Sequence, residues 1–322
     1  MDEKWQQLKD WINESDNIVF FGGAGVSTES GIPDFRSVDG LYNQKYKYPP
    51  EQIISHSFYI QNPEEFYRFY KDRMLFPDAK PNAAHKALAK LEQEGKLKAV
   101  ITQNIDGLHQ MAGSKEVLEL HGSVHRNYCT RCGQFYDLDY VRNSEGVPTC
   151  TCGGRIKPDV VLYEEGLDDR TIQKSIDYIR NADMLIIGGT SLVVYPAAGL
   201  IDYYRGNKLV LINKSVTSRD SQADLVISDS IGKVLEQLLE MTMDQEDPRR
   251  NRTMPGERLN YEVGDIVKLK KPHPCGSSEW EILRVGADFR LKCTGCGHQI
   301  MVARRLVEKN TKGLKKKDEI TG

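Results

Sequence analysis

The sequence lacks the long apolar segments that a membrane protein needs. No apolar run approaches the roughly 20 residues that span a bilayer. The first residues, MDEKWQQLKDWI, are acidic and amphipathic and do not resemble a secretory signal. We therefore expect a cytoplasmic protein without membrane association, and we find no internal repeats. At 322 residues, 39% of them hydrophobic, the chain is long enough for two or three domains with buried cores.

The chain also has little net charge, −2, but its charge is unevenly distributed. Residues 248–322 contain 17 Lys and Arg against 9 Asp and Glu, a net charge of +8, so residues 1–247 carry −10. Such a division suggests two modules with different partners. A basic segment that is merely solvated would explain the charge equally well.

The first 245 residues alternate short apolar runs with amphipathic segments. NIVFF, LKAVIT, DMLIIGG, KLVLIN and ADLVIS have the composition of buried strands, and polar residues or glycines follow them. This pattern predicts an α/β fold, a Rossmann-like doubly wound parallel sheet, with ligands at the strand ends. We expect a first domain over 1–245 with a small insertion at about 122–158, a linker over 246–260, a small mainly-β domain over 261–310 and a disordered tail over 311–322.

Four of the seven cysteines lie in the insertion as two close pairs. YCTRCG supplies Cys129 and Cys132, and TCTCGG supplies Cys150 and Cys152. Four thiolates with flanking glycines suit tetrahedral zinc, and a complete set of protein ligands leaves no position open for catalysis. The pattern predicts a structural zinc site, although four thiols without a metal would give the same pairs.

The loop after the first strand, GGAGVST, lacks the third glycine of the redox dinucleotide fingerprint, because position 28 is Thr. Glycines at a strand end still let backbone N–H groups approach a pyrophosphate. Two further polar loops, TQNIDGLH and GGTS, follow later strands and strengthen the prediction of a nucleotide site. His121, in LELHGS, suits a base that titrates near neutrality, but a structural histidine would fit there too.

The ordered motifs GAGVSTESGIPDFRS, TQNIDGLH, HGS, the cysteine quartet, KPDVVLYEE, GGTSLVVYPA and INKS resemble those of the sirtuins, the NAD-dependent protein deacylases. The resemblance covers about residues 1–245 and is closest to the bacterial members. It implies an enzyme that consumes NAD as co-substrate, transfers the acyl group of acyl-lysine to ADP-ribose and releases nicotinamide. By this resemblance His121 is the base, Asn104 orients the ribose and a water, and Asp106 holds the nicotinamide carboxamide.

The resemblance also assigns residues to the two substrates. The NAD contacts that it implies are Ala24, Gly25, Thr28, Phe35, Arg36, Gln103, Asn104, Ile105, Asp106, Gly189, Thr190, Ser191, Asn213, Lys214 and Ile231. The implied contacts with acyl-lysine and its peptide are Tyr67, Val161, Tyr163, Glu164 and Val193. The substrate backbone would add as a strand between segments 160–165 and 191–195.

Two departures from the family pattern concern the choice of substrate. The family often has Phe-Gly-Glu where this chain has Tyr163-Glu164-Glu165, so we expect an added carboxylate near the peptide groove and a preference for basic flanking residues. Relatives that remove acidic acyl groups carry Tyr-x-x-Arg, whereas here Tyr67 is followed by Tyr70. Because burying an unpaired carboxylate is costly, we expect acetyl or longer neutral acyl groups.

Residues 261–310 resemble a small uncharacterised bacterial domain. Cys293 and Cys296 form Cys-x-x-Cys, and Cys275, His273 and His298 are candidates to complete a second metal site. A small β domain with incidental thiols is the alternative. A basic face that binds RNA or DNA would use residues that alternate with apolar ones, namely Lys268, Lys270, Lys271, Arg290, Lys292, Arg304 and Arg305.

Other functions stay open at this level. ADP-ribosyl transfer uses the same co-substrate, and a module that only senses NAD or ADP-ribose would share the binding residues. An NAD oxidoreductase is less favoured, because no hydride-acceptor site is recognisable. The sequence does not name the target protein, and we expect a monomer.

Overall fold

The computed structural model describes residues 3–35, 40, 46–243, 261–286 and 288–317. The chain divides into two compact units, Met1–Met241 and Thr242–Gly322. The linker predicted over 246–260 lies entirely outside the described residues, as does Arg36. Within these ranges, the helices are all too short or too polar to cross a membrane.

The first unit is built on parallel strands. Its strands are β1 (Ile18–Gly22), β2 (Leu97–Thr102), β3 (Val117–Glu119), β4 (Gly122–Cys129), β5 (Phe135–Tyr136), β6 (Ile156–Val160), β7 (Met184–Gly188), β8 (Leu209–Ile212) and β9 (Leu225–Ile227). Six of them form one parallel sheet in the order β3-β2-β1-β7-β8-β9. The order reverses between β1 and β7, which opens a crevice at the carboxyl ends of the strands. The predicted doubly wound sheet is confirmed.

Helices cover both faces of this sheet and build a smaller lobe beside it. They are α1 (Glu3–Glu14), α2 (Pro50–Ile53), α3 (His56–Gln61), α4 (Pro63–Arg73), α5 (Ala83–Gln93), α6 (Leu108–Ala112), α7 (Leu138–Asn143), α8 (Asp169–Asn181) and α9 (Ile231–Met243). Short 3-10 turns occur at Ala24–Val26, Thr28–Ser30, Ala197–Tyr203 and Asp220–Gln222.

Alternate residues of the central strands face opposite layers. Ile18 and Phe20 belong to the core formed with α1, α5 and α9. Val19 and Phe21 belong to the core formed with α8 and the turn Ala197–Tyr203. A strand that is buried on both faces must be apolar throughout, which is why these strands are continuous apolar runs.

The smaller lobe contains the cysteine-rich insertion. Strands β5, β4 and β6 form an antiparallel sheet in that order. Helices α2, α3, α4 and α7 share one apolar core with this sheet.

A cap on α5 fixes the loop that follows β1. Asn82 is the N-cap, and its side-chain oxygen accepts a hydrogen bond from the Ala84 N–H at 2.9 Å. Its Nδ2 donates to the Val26 carbonyl at 2.8 Å and to Ser30 Oγ at 3.0 Å. One side chain therefore ends a helix and holds the glycine-rich loop.

The second unit is mainly β, as predicted. Its described elements are β10 (Ile266–Leu269), β11 (Glu279–Arg284), β12 (Asp288–Cys293), β13 (Gln299–Ala303), α10 (Arg304–Asn310) and β14 (Thr311–Lys315). The strands form one antiparallel sheet in the order β13-β12-β11-β10-β14 over a core that includes Trp280 and Phe289.

The prediction of a disordered tail from residue 311 is wrong for residues 311–315. These residues form β14, which pairs with β10 and sets Leu314 opposite Val267. Leu314 packs against the apolar core of the unit, and this contact outweighs the polar composition of the segment. Residues 318–322 lie outside the described chain.

Candidate active site

A cavity of about 770 Å³ lies at the carboxyl ends of the parallel strands, where the strand order reverses. The loops after β1, β2, β7 and β8 all contribute to its lining. The predicted site residues that line it are Ala24, Gly25, Thr28, Phe35, Gln103, Asn104, Ile105, Asp106, His121, Val161, Tyr163, Glu164, Gly189, Thr190, Ser191, Asn213, Lys214 and Ile231.

Two glycine loops meet backbone to backbone at this point. The Gly25 N–H donates to the Gly189 carbonyl at 2.8 Å. A Cβ on Gly25 would lie 2.8 Å from Gly189 Cα, and a Cβ on Gly189, whose φ is +60°, would lie 2.4 Å from the Val26 nitrogen. Both obstacles are backbone atoms that cannot rotate away, so only glycine fits at either position.

Side-chain hydrogen bonds continue this contact across the sheet edge. Gln103 Nε2 donates to Thr190 Oγ1 at 3.1 Å, and the Thr190 N–H donates to Asn213 Oδ1 at 3.0 Å. Asn213 Nδ2 is buried and has no hydrogen-bond partner among the described residues. A buried donor without a partner is costly, so this amide is suited to a polar ligand.

Ser27, which the sequence analysis did not single out, joins the two predicted catalytic polar residues. Its Oγ donates to Asp106 Oδ2 at 2.7 Å and accepts from Asn104 Nδ2 at 3.0 Å. Asp106 Oδ1 also accepts from the Leu108 N–H at 2.9 Å. Ser27 therefore fixes the orientation of the amide and of the carboxylate at the edge of the cavity. Its only sequence signal is its place within the glycine-rich loop GGAGVST.

His121 is held in one tautomer. Its Nδ1 lies 3.0 Å from the Gln103 carbonyl oxygen, which can only accept, so Nδ1 carries the proton. Nε2 is then the basic nitrogen of the neutral ring. Burial lowers the pKa of His121 below its usual 6.5, and the bond to the Gln103 carbonyl offsets part of this shift. The imidazole is therefore neutral at pH 7 and able to accept a proton.

The structure does not bring two of the predicted substrate residues to the cavity. Tyr67 is fully buried in the core of the smaller lobe, and its hydroxyl donates to the Ile156 carbonyl. Helix α4 turns the Tyr67 side chain toward this core and away from the cavity lining, so its predicted contact with substrate stays a prediction. Val193 is 50% exposed and lies outside the cavity lining, while its neighbour Val194 lines it.

The segment from Tyr163 to Glu165 forms one rim of the cavity. Glu164 has a φ of +75°, and its Oε2 accepts from the N–H and the hydroxyl of Ser57 at 2.8 and 2.6 Å. These bonds lower the pKa of the Glu164 carboxyl. Glu165 pairs with His56 at 2.8 Å and with Lys157 at 3.1 Å. Lys157 and the His56 ring both contact the Glu165 carboxylate, whereas Glu164 contributes an exposed negative charge at the rim.

The four cysteines of the insertion converge as predicted. Their sulfur atoms all lie within 4.8 Å of one another. Cys129 and Cys152 are 3.5 Å apart, and Cys132 and Cys150 are 3.6 Å apart. Tetrahedral zinc with Zn–S bonds of about 2.3 Å places sulfurs about 3.8 Å apart. The cluster therefore fits a structural Zn²⁺ with a complete set of protein ligands.

The first ligand turn of this zinc cluster has a defined hydrogen-bond pattern. The Cys129 N–H donates to the Gln134 carbonyl at 2.9 Å, five residues later. The Gly133 N–H donates back to the Cys129 carbonyl at 3.0 Å, with a φ of +73° at Gly133. The left-handed glycine lets the chain turn directly after Cys132.

The second ligand turn has its own pattern. The Cys150 N–H donates to the Gly154 carbonyl at 2.8 Å, and the Gly153 N–H donates to the Cys150 carbonyl at 2.8 Å. Gly153 has a φ of +79°. The Cys152 N–H also points to Cys150 Sγ at 3.5 Å.

Two buried histidines lie beside the hydrogen-bonded group of Ser27, Asn104 and Asp106, and the sequence analysis missed both. His85 Nε2 lies 3.5 Å from Ser27 Oγ, and the rings of His85 and His109 meet edge to face with centroids 4.7 Å apart. Both ring nitrogens of His109 lack a hydrogen-bond partner among the described residues. Burial lowers the pKa of His85 to about 4 and that of His109 to about 3.

These values predict a loss of stability in weak acid. An unfolded chain protonates His109 near pH 6.5, but the folded chain does so only near pH 3. Stability is therefore complete above about pH 6.5 and falls as the pH drops toward 3. We expect His109→Gln to reduce the loss of unfolding free energy between pH 7.5 and 5 by about 2 kcal/mol. The urea-unfolding transition of the first unit, followed in the full chain at both pH values, measures this effect.

His298→Gln, a change at an exposed histidine of the second unit, is the matched control and should leave the pH dependence unaltered. An equally steep dependence in His109→Gln and in the wild-type chain would contradict the prediction.

Family models match both units of the chain. The Sir2 family matches residues 23–196. A family described as a bacterial protein of unknown function (DUF951) matches residues 261–314.

Curated bacterial proteins match the first unit over nearly their whole length. An NAD-dependent protein deacetylase of Clostridium perfringens is 66% identical over 244 residues, which are 74% of this chain and 100% of that protein. An NAD-dependent protein deacetylase of Staphylococcus epidermidis is 48% identical over 236 residues, 73% of this chain and 96% of that protein.

Solved structures show the same architecture. A Sir2 complex with a p53 peptide and NAD+ is 41% identical, has a TM-score of 0.66 and covers 74% of this chain and 98% of its own. Sir2 bound to an acetylated peptide is 40% identical, also with a TM-score of 0.66, and covers 74% of this chain and 98% of its own. With its sheet reversal, glycine loops and cysteine cluster in the arrangement described above, this chain belongs to the Sir2 family.

Proposed function

We propose that the first unit is an NAD-dependent protein-lysine deacetylase and that His121 is its catalytic base. The single observation that carries the role of His121 is its fixed tautomer, with Nδ1 on the Gln103 carbonyl at 3.0 Å and the ring at the cavity lining. The deacetylase names of the relatives and the acetylated peptide bound by a similar Sir2 support the reaction class.

The residues of the cavity fit NAD. Gly25 and Gly189 leave backbone surface uncovered by side chains, which suits close approach of a pyrophosphate. The buried Nδ2 of Asn213, a residue that lines the cavity and accepts a hydrogen bond from the Thr190 N–H, offers NAD a hydrogen-bond donor. As co-substrate, NAD supplies an ADP-ribose acceptor for the acyl group and nicotinamide as leaving group. We propose that all the predicted NAD residues that line the cavity hold it, and that Arg36 takes part.

Asn104, Asp106 and His121 have different roles in the proposed reaction. Asn104 and Asp106, both hydrogen-bonded to Ser27, present an amide and a carboxylate in fixed orientations for the ribose, a water and the carboxamide. His121 accepts a proton at Nε2 because its Nδ1 proton is already committed to Gln103. We propose that the protein acts as a monomer.

Replacing the base should abolish turnover without abolishing NAD binding. We expect His121→Ala to lower kcat for an acetyl-lysine peptide by about 10² to 10⁴-fold, since general base catalysis contributes that much. Calorimetric NAD titration should show little change. In the wild-type enzyme, the acid limb of kcat/KM should lie below pH 6.5, because burial lowers the pKa of His121.

His125→Gln is the matched control for a second histidine at the same cavity, and it should keep most of the activity. Nicotinamide release should require the acyl peptide, and mass spectrometry should find O-acyl-ADP-ribose. A fully active His121→Ala enzyme, or ADP-ribose attached to the peptide, would overturn the proposed mechanism.

We further propose that the rim charge of Glu164 selects basic residues beside the acyl-lysine. Glu164 lines the cavity and exposes its carboxylate, while Glu165 contacts the His56 ring and pairs with Lys157. We propose that the acyl groups removed from lysine are acetyl or longer neutral groups. Arg73 lines the cavity; its Nε lies 2.6 Å from Asp72 Oδ2 but forms no hydrogen bond among the described residues.

A peptide array should therefore show faster turnover with Lys or Arg beside the acetyl-lysine than with Asp or Glu. We expect Glu164→Gln to reduce this preference by about two- to fivefold, the range for an exposed charge pair. Glu51→Gln, an exposed change on α2 outside the cavity lining, is the control. Succinyl-lysine should be slower than acetyl-lysine. Faster turnover of peptides with Asp or Glu beside the acetyl-lysine would refute the role of Glu164. Faster turnover of succinyl-lysine than of acetyl-lysine would refute the preference for neutral acyl groups.

For the second unit we propose nucleic-acid binding through its basic charge. Lys268 and Lys271, on and just after β10, are exposed. Acidic residues limit the basic face, because Glu281 pairs with Lys292 and Glu279 pairs with Lys315. The net charge of +8 over residues 248–322 supports non-specific phosphate contacts.

In gel shifts with duplex RNA and DNA, the full chain should bind at low salt and weaken steeply as salt rises. Lys268→Glu with Lys271→Glu should weaken binding, whereas Glu51→Gln should not. An absence of any shift at low salt would remove this function.

A further inference from the structure

The second unit contains a cluster of four side chains that carry metal-ligating atoms. His273 and Cys275 lie in the loop between β10 and β11, Cys293 ends β12, and Cys296 lies in the turn before β13. Their ligand atoms all lie within 4.8 Å of one another. We propose that these four residues bind a second structural Zn²⁺ ion through one imidazole and three thiolates.

The distances in this cluster match a bound ion. Cys275 Sγ lies 3.1 Å from His273 Nδ1 and 3.5 Å from Cys293 Sγ, and Cys296 Sγ lies 3.4 Å from His273 Nδ1. A tetrahedral zinc ion places a nitrogen and a sulfur ligand about 3.6 Å apart and two sulfur ligands about 3.8 Å apart, so the three distances lie within about 0.5 Å of those around an ion. The sulfurs are too far apart for a disulfide, whose bond is about 2.0 Å.

The turn at Cys293 repeats the turn at Cys129 of the first cluster. The Cys293 N–H donates to the His298 carbonyl at 2.8 Å, five residues later, and the Gly297 N–H donates back to the Cys293 carbonyl at 2.9 Å. Gly297 has a φ of +75°, directly after Cys296. The hydrogen-bond partners have the same sequence offsets as in the first cluster, and the left-handed glycine occupies the same place.

The other ligand turn repeats the turn at Cys150. The His273 N–H donates to the Ser277 carbonyl at 2.8 Å, and the Gly276 N–H donates to the His273 carbonyl at 2.7 Å. Gly276 has a φ of +92°. The Cys275 N–H points to His273 Nδ1 at 3.4 Å, as the corresponding N–H in the first cluster points to sulfur. His273 therefore occupies the position that Cys150 has in the first cluster.

This repetition is the main argument for an ion. Two unrelated segments of sequence adopt the same pair of turns, and in both units the turns aim four ligand atoms at one point. Three thiolates and an imidazole favour zinc, and four protein ligands leave no position open for a reactant. The ion would tie the β10–β11 loop to the β12–β13 turn. His298 is not part of the cluster, and its exposed ring stacks on His273 with centroids 5.3 Å apart.

Zinc counting on the full chain tests the proposal. The wild-type chain and Cys293→Ser with Cys296→Ser are each saturated with zinc and passed through gel filtration. Zinc per chain is then measured by mass spectrometry of the metal. We expect the wild-type chain to retain one ion more than the variant. Equal zinc content in the two proteins would overturn the proposal.

Cobalt spectra test the ligand set independently of that variant. In Co²⁺-loaded protein, His273→Cys should keep the same metal content and intensify the thiolate-to-cobalt charge-transfer band, because a fourth thiolate joins the site. His298→Ala, the matched control, should change neither metal content nor spectrum. A His273→Cys spectrum identical to that of the wild-type chain would exclude His273 as a ligand and overturn the proposed set.

Discussion

The backbone-to-backbone contact between the glycine loops after β1 and β7 is the constraint on which the site depends. The hydrogen bond from Gly25 to the Gly189 carbonyl is short, and each glycine lies where a Cβ would strike main-chain atoms. Parallel strands that are neighbours at a reversal of strand order send their following loops apart, which opens a crevice. Here the loops pack closely at the base of that crevice and leave peptide groups exposed to whatever binds above them.

A buried polar network gives the site its second constraint. Ser27 is the shared partner of Asn104 and Asp106, and it lies within reach of His85. Leaving one buried polar group unsatisfied costs about 1 to 3 kcal/mol, so the members of this network hold each other in place. The arrangement of the candidate site and the fold are therefore stabilised by the same bonds. The two buried histidines, His85 and His109, lie beside this network and are neutral at pH 7 because burial lowers their pKa values.

The sequence predicted the parts of the site that are local in the chain. Each glycine loop and each cysteine pair spans only a few residues of sequence, so it can be recognised as a motif. Parallel strands then bring the loops that follow them to one edge of the sheet. Tertiary contacts between residues that are distant in sequence were not predicted. The orientation of Tyr67 is set by the core of the smaller lobe, and the pairing of His85 with His109 joins α5 to α6. Neither leaves a periodic pattern. In the second unit, the choice between His273 and His298 as candidate ligand likewise required the turn geometry.

Strand β14 has a practical consequence for how the protein is handled. It forms one edge of the five-stranded sheet and covers the outer side of β10. The polar composition of the last residues suggests a truncation at residue 310. Such a truncation removes β14 and leaves the N–H and C=O groups of β10 without their partners on that side. Exposed edges of this kind recruit strands from other molecules. Such a shortened protein would tend to aggregate through intermolecular β pairing, and its loss from solution would be mistaken for poor expression.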